Sequence, residues 1–114
     1  MQVYLKEVYI RVDKDLAKEI GSYWEAKGLF ASTMMEECGE LTQAISKVAR
    51  ARRQFDEASE EVTQEADDAL YETEEKLERE IADMYIVLKV LEAKWYLSED
   101  YIQKYIDEKL EKTY

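Results

Sequence analysis

The sequence contains no histidine and no proline, and it has only one cysteine and three glycines in 114 residues. The missing histidine excludes His-based general acid–base catalysis, Ser-His-Asp triads and most zinc sites. The single cysteine, Cys38, excludes a disulfide within the chain, as is typical of proteins of the reducing cytoplasm. Because few residues would interrupt a helix, the composition predicts a mostly helical protein. Together with the cysteine count, we expect it in the cytoplasm.

The sequence also lacks long apolar runs and an excess of basic residues. No apolar stretch approaches the roughly 20 residues of a membrane-spanning helix, and the N-terminal residues do not resemble a signal peptide. The 16 basic residues stand against 27 acidic ones, a net charge of −11 that argues against binding to nucleic acid or to an anionic membrane. A hydrophobic content of 46% suffices for a small core, so we expect one domain over residues 1–114.

The acidic excess is concentrated in one segment. Residues 56–78 contain eleven acidic residues and a single basic one, Lys76. We interpret residues from about 54 to 78 as an acidic insertion, which is either a solvated helical hairpin or helix end, or else a flap or partner-binding element. Arg50, Arg52 and Arg53 precede it, and we expect them in the last turn of a helix, where cations complement the helix dipole.

Capping residues predict the first two helices. Asp13 is suited to begin a helix that ends at Gly28. Thr33 and Glu36 have the spacing of a capping box, which predicts that a second helix begins there. Residues 3–12 are rich in valine, isoleucine and tyrosine and predict a short strand or an irregular lead-in.

Apolar periodicity predicts a long third helix that ends near Trp95. Residues 56–76 have few apolar residues on one face, so the pattern does not decide whether they extend this helix or form a separate one. The regular part of the stripe has intervals of four and three residues, which suit bundle packing: Leu77, Ile81, Met84, Leu88, Leu91 and Trp95.

Ser98 is suited to begin a fourth helix. This helix is expected to bury Tyr101 or Ile102, together with Tyr105, Ile106 and Leu110. The fold class that follows is an all-α bundle of about four to five helices.

Two pairs of carboxylates interrupt the most apolar helix stretches. Glu37 and Glu40 lie three residues apart and so share one face of the second helix. Glu80 and Asp83 repeat that spacing on the third helix. Either both pairs flank the core and face water, or they meet in a poorly hydrated place.

In the second case, a bound cation would relieve the repulsion between like charges. All ligands would be hard oxygens, which favours Mg²⁺, with Mn²⁺ as the alternative, over zinc or copper. Glu36 is a candidate fifth ligand, although we assign it first to the capping box.

The segments EECGELTQAISK (36–47) and EIADMYIVL (80–88) resemble the MazG-like nucleoside triphosphate pyrophosphohydrolases of the all-α NTP pyrophosphatase superfamily. The signature of that family is E-E-x-x-E-L on one helix and E-x-x-D on the next, and the closing YIDEKLEK (105–112) is similar to the helix that often ends its domains. The resemblance covers about residues 13–112. It departs from the family in the 39 residues between Glu40 and Glu80, a longer interval than is usual.

The resemblance implies a fold, a metal site and a reaction. Glu37, Glu40, Glu80 and Asp83 match the family's Mg²⁺ ligands and would serve catalysis. The reaction is hydrolysis of an NTP or dNTP between the α and β phosphates, giving a nucleoside monophosphate and pyrophosphate. Members commonly work as homodimers or dimers of dimers, and the apolar helix seams of this small chain also favour a bundle that oligomerisation completes.

Further residues are candidates for substrate binding. Lys47 follows Glu40 by seven residues on the same face and is either a phosphate ligand or an exposed helix lysine. Four aromatic residues would stack on a base or else belong to the core or a subunit interface: Trp24, Phe30, Tyr85 and Trp95.

Two other functions stay open. An acidic helical interaction module would bind a basic partner through residues 56–78 and show no metal-dependent turnover. An inactive homologue would have lost catalysis and would serve as a scaffold, with at most the metal binding retained.

Overall fold

A computed structural model describes residues 10–57 and 64–113, and most of these residues are helical. The helices are α1 (Lys14–Ala26), α2 (Phe30–Glu57), α3 (Gln64–Lys94) and α4 (Glu99–Thr113). No strand occurs in the described ranges, so the expected all-α class is confirmed for them. The predicted lead-in lies mostly outside the described residues, and its last part, 10–12, has no regular secondary structure. None of the described helices is long and apolar enough to cross a bilayer.

The first and last helices begin where the capping residues predict. The Asp13 side chain accepts a hydrogen bond from the Leu16 backbone N–H at 2.9 Å, and α1 stops just before Gly28, which adopts a φ of 69°. Ser98 accepts from the Tyr101 N–H at 3.2 Å and so caps α4. Both caps satisfy backbone donors that a helix start leaves without partners.

The predicted start of the second helix is wrong. α2 begins at Phe30, and the Thr33 N–H already donates to the Leu29 carbonyl at 2.9 Å, so Thr33 lies inside the first turn. Because the left-handed Gly28 ends α1 tightly, α2 can begin at once. Glu36 is therefore not the acid of a capping box.

The predicted role of the arginines is also wrong. α2 continues to Glu57 and has no basic residue in its last turn, so Arg50, Arg52 and Arg53 do not cap its dipole. The helix continues because Ala51 is buried and Phe55 half-buried, which extends the packing of α2 beyond the arginines. Arg52 instead pairs with Glu74 of α3 at 3.4 Å.

α2 and α3 pack against each other as an antiparallel pair, and α1 covers the C-terminal half of α3. Of the described residues of the acidic segment, 54–57 belong to α2 and 64–78 belong to α3. α1 approaches closely at Gly21, where an added Cβ would lie 3.1 Å from Val90 Cγ1. The buried core is small: Ala17, Ala44, Val48, Ala51, Val87 and Val90.

α4 does not bury the face predicted for it. Tyr101, Tyr105, Ile106 and Leu110 are between 45% and 61% exposed in the single chain, although Ile102 is half-buried. The helix is tied to the others at its first residue, because the Glu99 carboxylate pairs with Lys14 at 3.2 Å and with Lys89 at 3.1 Å. The prediction of burial is therefore wrong for one chain, since most of the apolar stripe of α4 stays exposed among the described residues.

Candidate metal centre

Glu37 and Glu40 of α2 and Glu80 of α3 form a carboxylate cluster. Each of the three offers an oxygen, and these oxygens all lie within 4.8 Å of one another. The three-residue spacing projects Glu37 and Glu40 side by side from α2, and the antiparallel packing brings Glu80 opposite them. Three carboxylates from two helices thus converge.

Two oxygens of this cluster are buried without a partner. Glu37 Oε2 and Glu80 Oε2 are inaccessible to solvent and accept no hydrogen bond within the described residues. A buried carboxylate oxygen without a donor is costly, because it has lost its water and gained nothing in exchange. Because Glu37 and Glu80 also each offer an oxygen to the carboxylate cluster, a cation bound by these carboxylates would relieve this cost, and the cluster fits a metal ion.

Burial and repulsion act together on Glu37. The pKa of Glu37 is raised above its ordinary value first by burial and then by the negative charges of Glu40, Asp83, Glu80 and Glu36, in that order. Both effects penalise the ionised form. An ion of opposite charge would reverse the second effect.

Glu80 is perturbed in the same direction. Its pKa is raised first by burial and then by the charges of Glu40 and Asp83. Lys76 opposes these effects and lowers the pKa, which places its positive charge near the cluster.

Asp83 lies close to the cluster but outside its tightest group. Its charge raises the pKa of both Glu37 and Glu80, although its oxygens are not among those within 4.8 Å of one another. Asp83 is exposed, and a carboxylate on the solvent side suits an open coordination position. Glu36 is exposed as well and acts on Glu37 only through its charge.

A polar cavity of about 210 Å³ adjoins the cluster, and we refer to it as the lysine cavity. Its lining comes from both helices: Glu40, Gln43, Ala44 and Lys47 of α2, and Lys76 and Glu80 of α3. Lys47 thus lines the same cavity as Glu40, with which the sequence places it on one helix face. Sequence reasoning missed Lys76, although two signals were present: it is four residues before Glu80 and is the single base of residues 56–78.

The aromatic candidates lie elsewhere. Trp24, Phe30, Tyr85 and Trp95 are absent from the described lining of the lysine cavity. Phe30 and Trp95 contact each other with ring centroids 5.7 Å apart. Tyr85 borders an apolar groove on α2 and α3 together with Leu41, Ile81, Met84 and Leu88.

Comparison with known proteins yields no relative. No family model matches the sequence, and no curated protein or solved structure shows significant similarity to it. The support for a function therefore comes from the two acidic motifs and from the geometry of the carboxylate cluster.

Proposed function

We propose that the protein is a Mg²⁺-dependent nucleoside triphosphate pyrophosphohydrolase, for which Mn²⁺ is the alternative ion. The substrate is an NTP or dNTP, and the products are a nucleoside monophosphate and pyrophosphate. The observation that carries this proposal is the pair of buried, unpartnered oxygens of Glu37 and Glu80 beside Glu40. The spacing of these acids in the family resemblance supports the same conclusion.

We assign the roles of the four acidic residues by the distances between their carboxylate oxygens. Glu37, Glu40 and Glu80 would hold the ion on the helix side, and Asp83 would complete the set from the solvent side. When bound, the ion offsets the charge of the triphosphate and stabilises the charge that develops during displacement. A carboxylate oxygen left free would orient the attacking water and accept its proton, because the chain has no histidine for this role.

The substrate needs cationic partners as well as the ion, since both the triphosphate and the cluster are negatively charged. Lys47 lines the lysine cavity next to Glu40 and would bind a phosphate there.

We also propose that the protein forms a homodimer or a dimer of dimers. The groove around Leu41, Met84 and Leu88 and the apolar stripe of α4 are both exposed in one chain. A chain of this size buries a modest fraction of its surface alone, so a second copy that covers these faces would add to its core.

The decisive experiment is pyrophosphate release, screened over the common NTPs and dNTPs with Mg²⁺, together with the thermal shift that the ion alone produces. The enzyme gives both signals. An inactive homologue gives at most the thermal shift, and an acidic interaction module that binds a basic partner gives neither.

Two variants make the screen specific to the cluster. Glu80→Gln removes a proposed ligand and abolishes release, whereas Glu72→Gln removes an equal charge from an exposed position on the same helix and leaves release unchanged. Equal activity in both variants would contradict the assignment of Glu80.

A further inference from the structure

Lys76 is the one basic residue of residues 56–78, which contain eleven acidic residues, and it lies next to the carboxylate cluster. It lines the lysine cavity, on the same side of α3 as Glu80 and opposite Lys47 of α2. A solvated acidic surface does not require a cation at this position. The position of Lys76 beside the carboxylate cluster therefore indicates a role other than solubility.

The helix geometry places both lysines on the same side of the cluster. Lys47 follows Glu40 by seven residues along α2, whereas Lys76 precedes Glu80 by four residues along α3. Because the helices are antiparallel, both steps run toward the connection between them. At 1.5 Å per residue the displacements are about 10 Å and about 6 Å. The cavity is thus acidic at one end and basic at the other.

Neither lysine forms an ion pair with a described residue. Among the described residues, neither the Lys47 nor the Lys76 ammonium lies within 4.0 Å of a carboxylate, unlike Lys14, Lys89 and Lys94. Both therefore have their donors available to a ligand that enters the cavity. A lysine is a compact point charge on a flexible stem and is well suited to phosphate oxygens.

We infer that Lys76 is a second phosphate-binding residue, which acts with Lys47 to hold the phosphate chain of the substrate while the carboxylate cluster holds the cation. This inference rests on the proposed function, because it assigns the two ends of the cavity to the two parts of a metal–triphosphate complex. The alternative role for Lys76 is to balance the charge of Glu80 without touching the substrate.

The test is titration calorimetry with inorganic tripolyphosphate at saturating Mn²⁺, a readout that needs no turnover. Since a hydrogen bond to a charged group contributes about 1.5–3 kcal/mol, Lys76→Gln should bind tripolyphosphate roughly 10-fold to 100-fold more weakly. Lys76→Arg should restore most of the affinity. Lys104→Gln, which removes the same charge from the exposed face of α4, is the matched control and should bind like the wild type.

The affinity for Mn²⁺ alone separates the two roles of Lys76. A residue that merely balances Glu80 would change Mn²⁺ binding in Lys76→Gln and leave tripolyphosphate binding equal to that of Lys104→Gln, which would overturn the inference. A wild-type protein that binds no tripolyphosphate in the presence of Mn²⁺ would overturn it as well.

Failure of the proposed function looks different. Tripolyphosphate binding that depends on Lys76, without pyrophosphate release from any NTP or dNTP, would refute the hydrolase and retain the phosphate site. Release with an unchanged KM in Lys76→Gln, together with unchanged tripolyphosphate binding, would refute the phosphate site and retain the hydrolase.

Discussion

Glu37 of α2 and Glu80 of α3 each bury one carboxylate oxygen, and neither oxygen has a hydrogen-bond partner among the described residues. The two helices therefore meet at a point where like charges are crowded and poorly hydrated. Such an arrangement is unfavourable in the isolated chain and becomes favourable when a cation occupies it.

The first prediction concerns Glu80→Gln. We expect turnover to fall by more than the roughly 10-fold to 100-fold typical of changes around a metal ligand, because a ligand itself is lost. Without divalent cations the variant should melt at the same temperature as the wild type or slightly higher, since one crowded charge is gone. Pyrophosphate release and thermal unfolding measure the two effects, and a variant with most of the wild-type kcat would exclude Glu80 as a ligand.

The second prediction concerns pH. The raised pKa values of Glu37 and Glu80 mean that the folded chain binds more protons than the unfolded chain from the ordinary value of 4.5 upward to the raised values. In that window the cluster's contribution to the free energy of unfolding decreases as the pH rises, and it recovers when the acids are protonated.

Denaturant unfolding at several pH values without divalent cations measures this dependence. The double variant Glu37→Gln/Glu80→Gln should show a shallower decrease than the wild type, and Glu72→Gln should not. Mg²⁺ should also flatten the wild-type curve, because the ion favours the ionised acids. Identical slopes in the wild type and the double variant would show that the cluster does not control this dependence.

The third prediction concerns Gly21. A methyl group there would lie 3.1 Å from Val90, which is fully buried and has little room to move. Overpacking of this kind costs about 1–3 kcal/mol and outweighs the roughly 1 kcal/mol that alanine gains over glycine in a helix. Gly21→Ala should therefore lower the free energy of unfolding.

Gly39→Ala is the matched control for this change. Gly39 also lies within a helix, but nothing is within 4 Å of an added Cβ, so the substitution should stabilise the protein by up to about 1 kcal/mol. Urea unfolding measures the free energy of unfolding of both variants and the wild type. Equal stabilisation would show that α1 and α3 separate more easily than their packing indicates.

The fourth prediction concerns assembly. We expect a dimer or larger homo-oligomer with an interface well over ~1,000 Å², measured as molar mass by light scattering at moderate salt. Ile106→Glu places a charge on the exposed apolar stripe of α4 and should weaken association at least about 10-fold. Ser22→Glu adds the same charge on an exposed position of α1 and should not. A wild-type monomer at micromolar concentration would contradict the prediction.

The sequence predicted local features better than contacts between helices. The caps at Asp13 and Ser98 and the end of α3 near Trp95 depend on neighbouring residues, so they were accessible from sequence. Thr33 failed as a cap because the same short-range pattern also fits the first turn of a helix that begins earlier. The predicted role of the arginines was wrong because the burial of Ala51, which favours continuation of α2, is a tertiary effect.

In the candidate site, too, local spacing was predictable and contacts between helices were not. The pairing of Glu37 with Glu40 follows from helical spacing, whereas their convergence with Glu80 depends on the register of two helices that spacing does not determine. Lys76 was missed for that reason, since its relation to Lys47 exists only across the helix pair. The apolar stripe of α4 was visible, but periodicity does not say whether its partner is the same chain or another.

Because α4 is held by ion pairs at its first residue, Glu99, a rotation there displaces the far end of the helix most. Its 15 residues span about 22 Å, while the ion pairs to Lys14 and Lys89 act on its first residue. A small rotation about Glu99 is therefore amplified into a displacement of several ångströms at Lys112. The two ion pairs at Glu99 thus contribute to the direction in which the apolar stripe points, and added salt weakens this contribution.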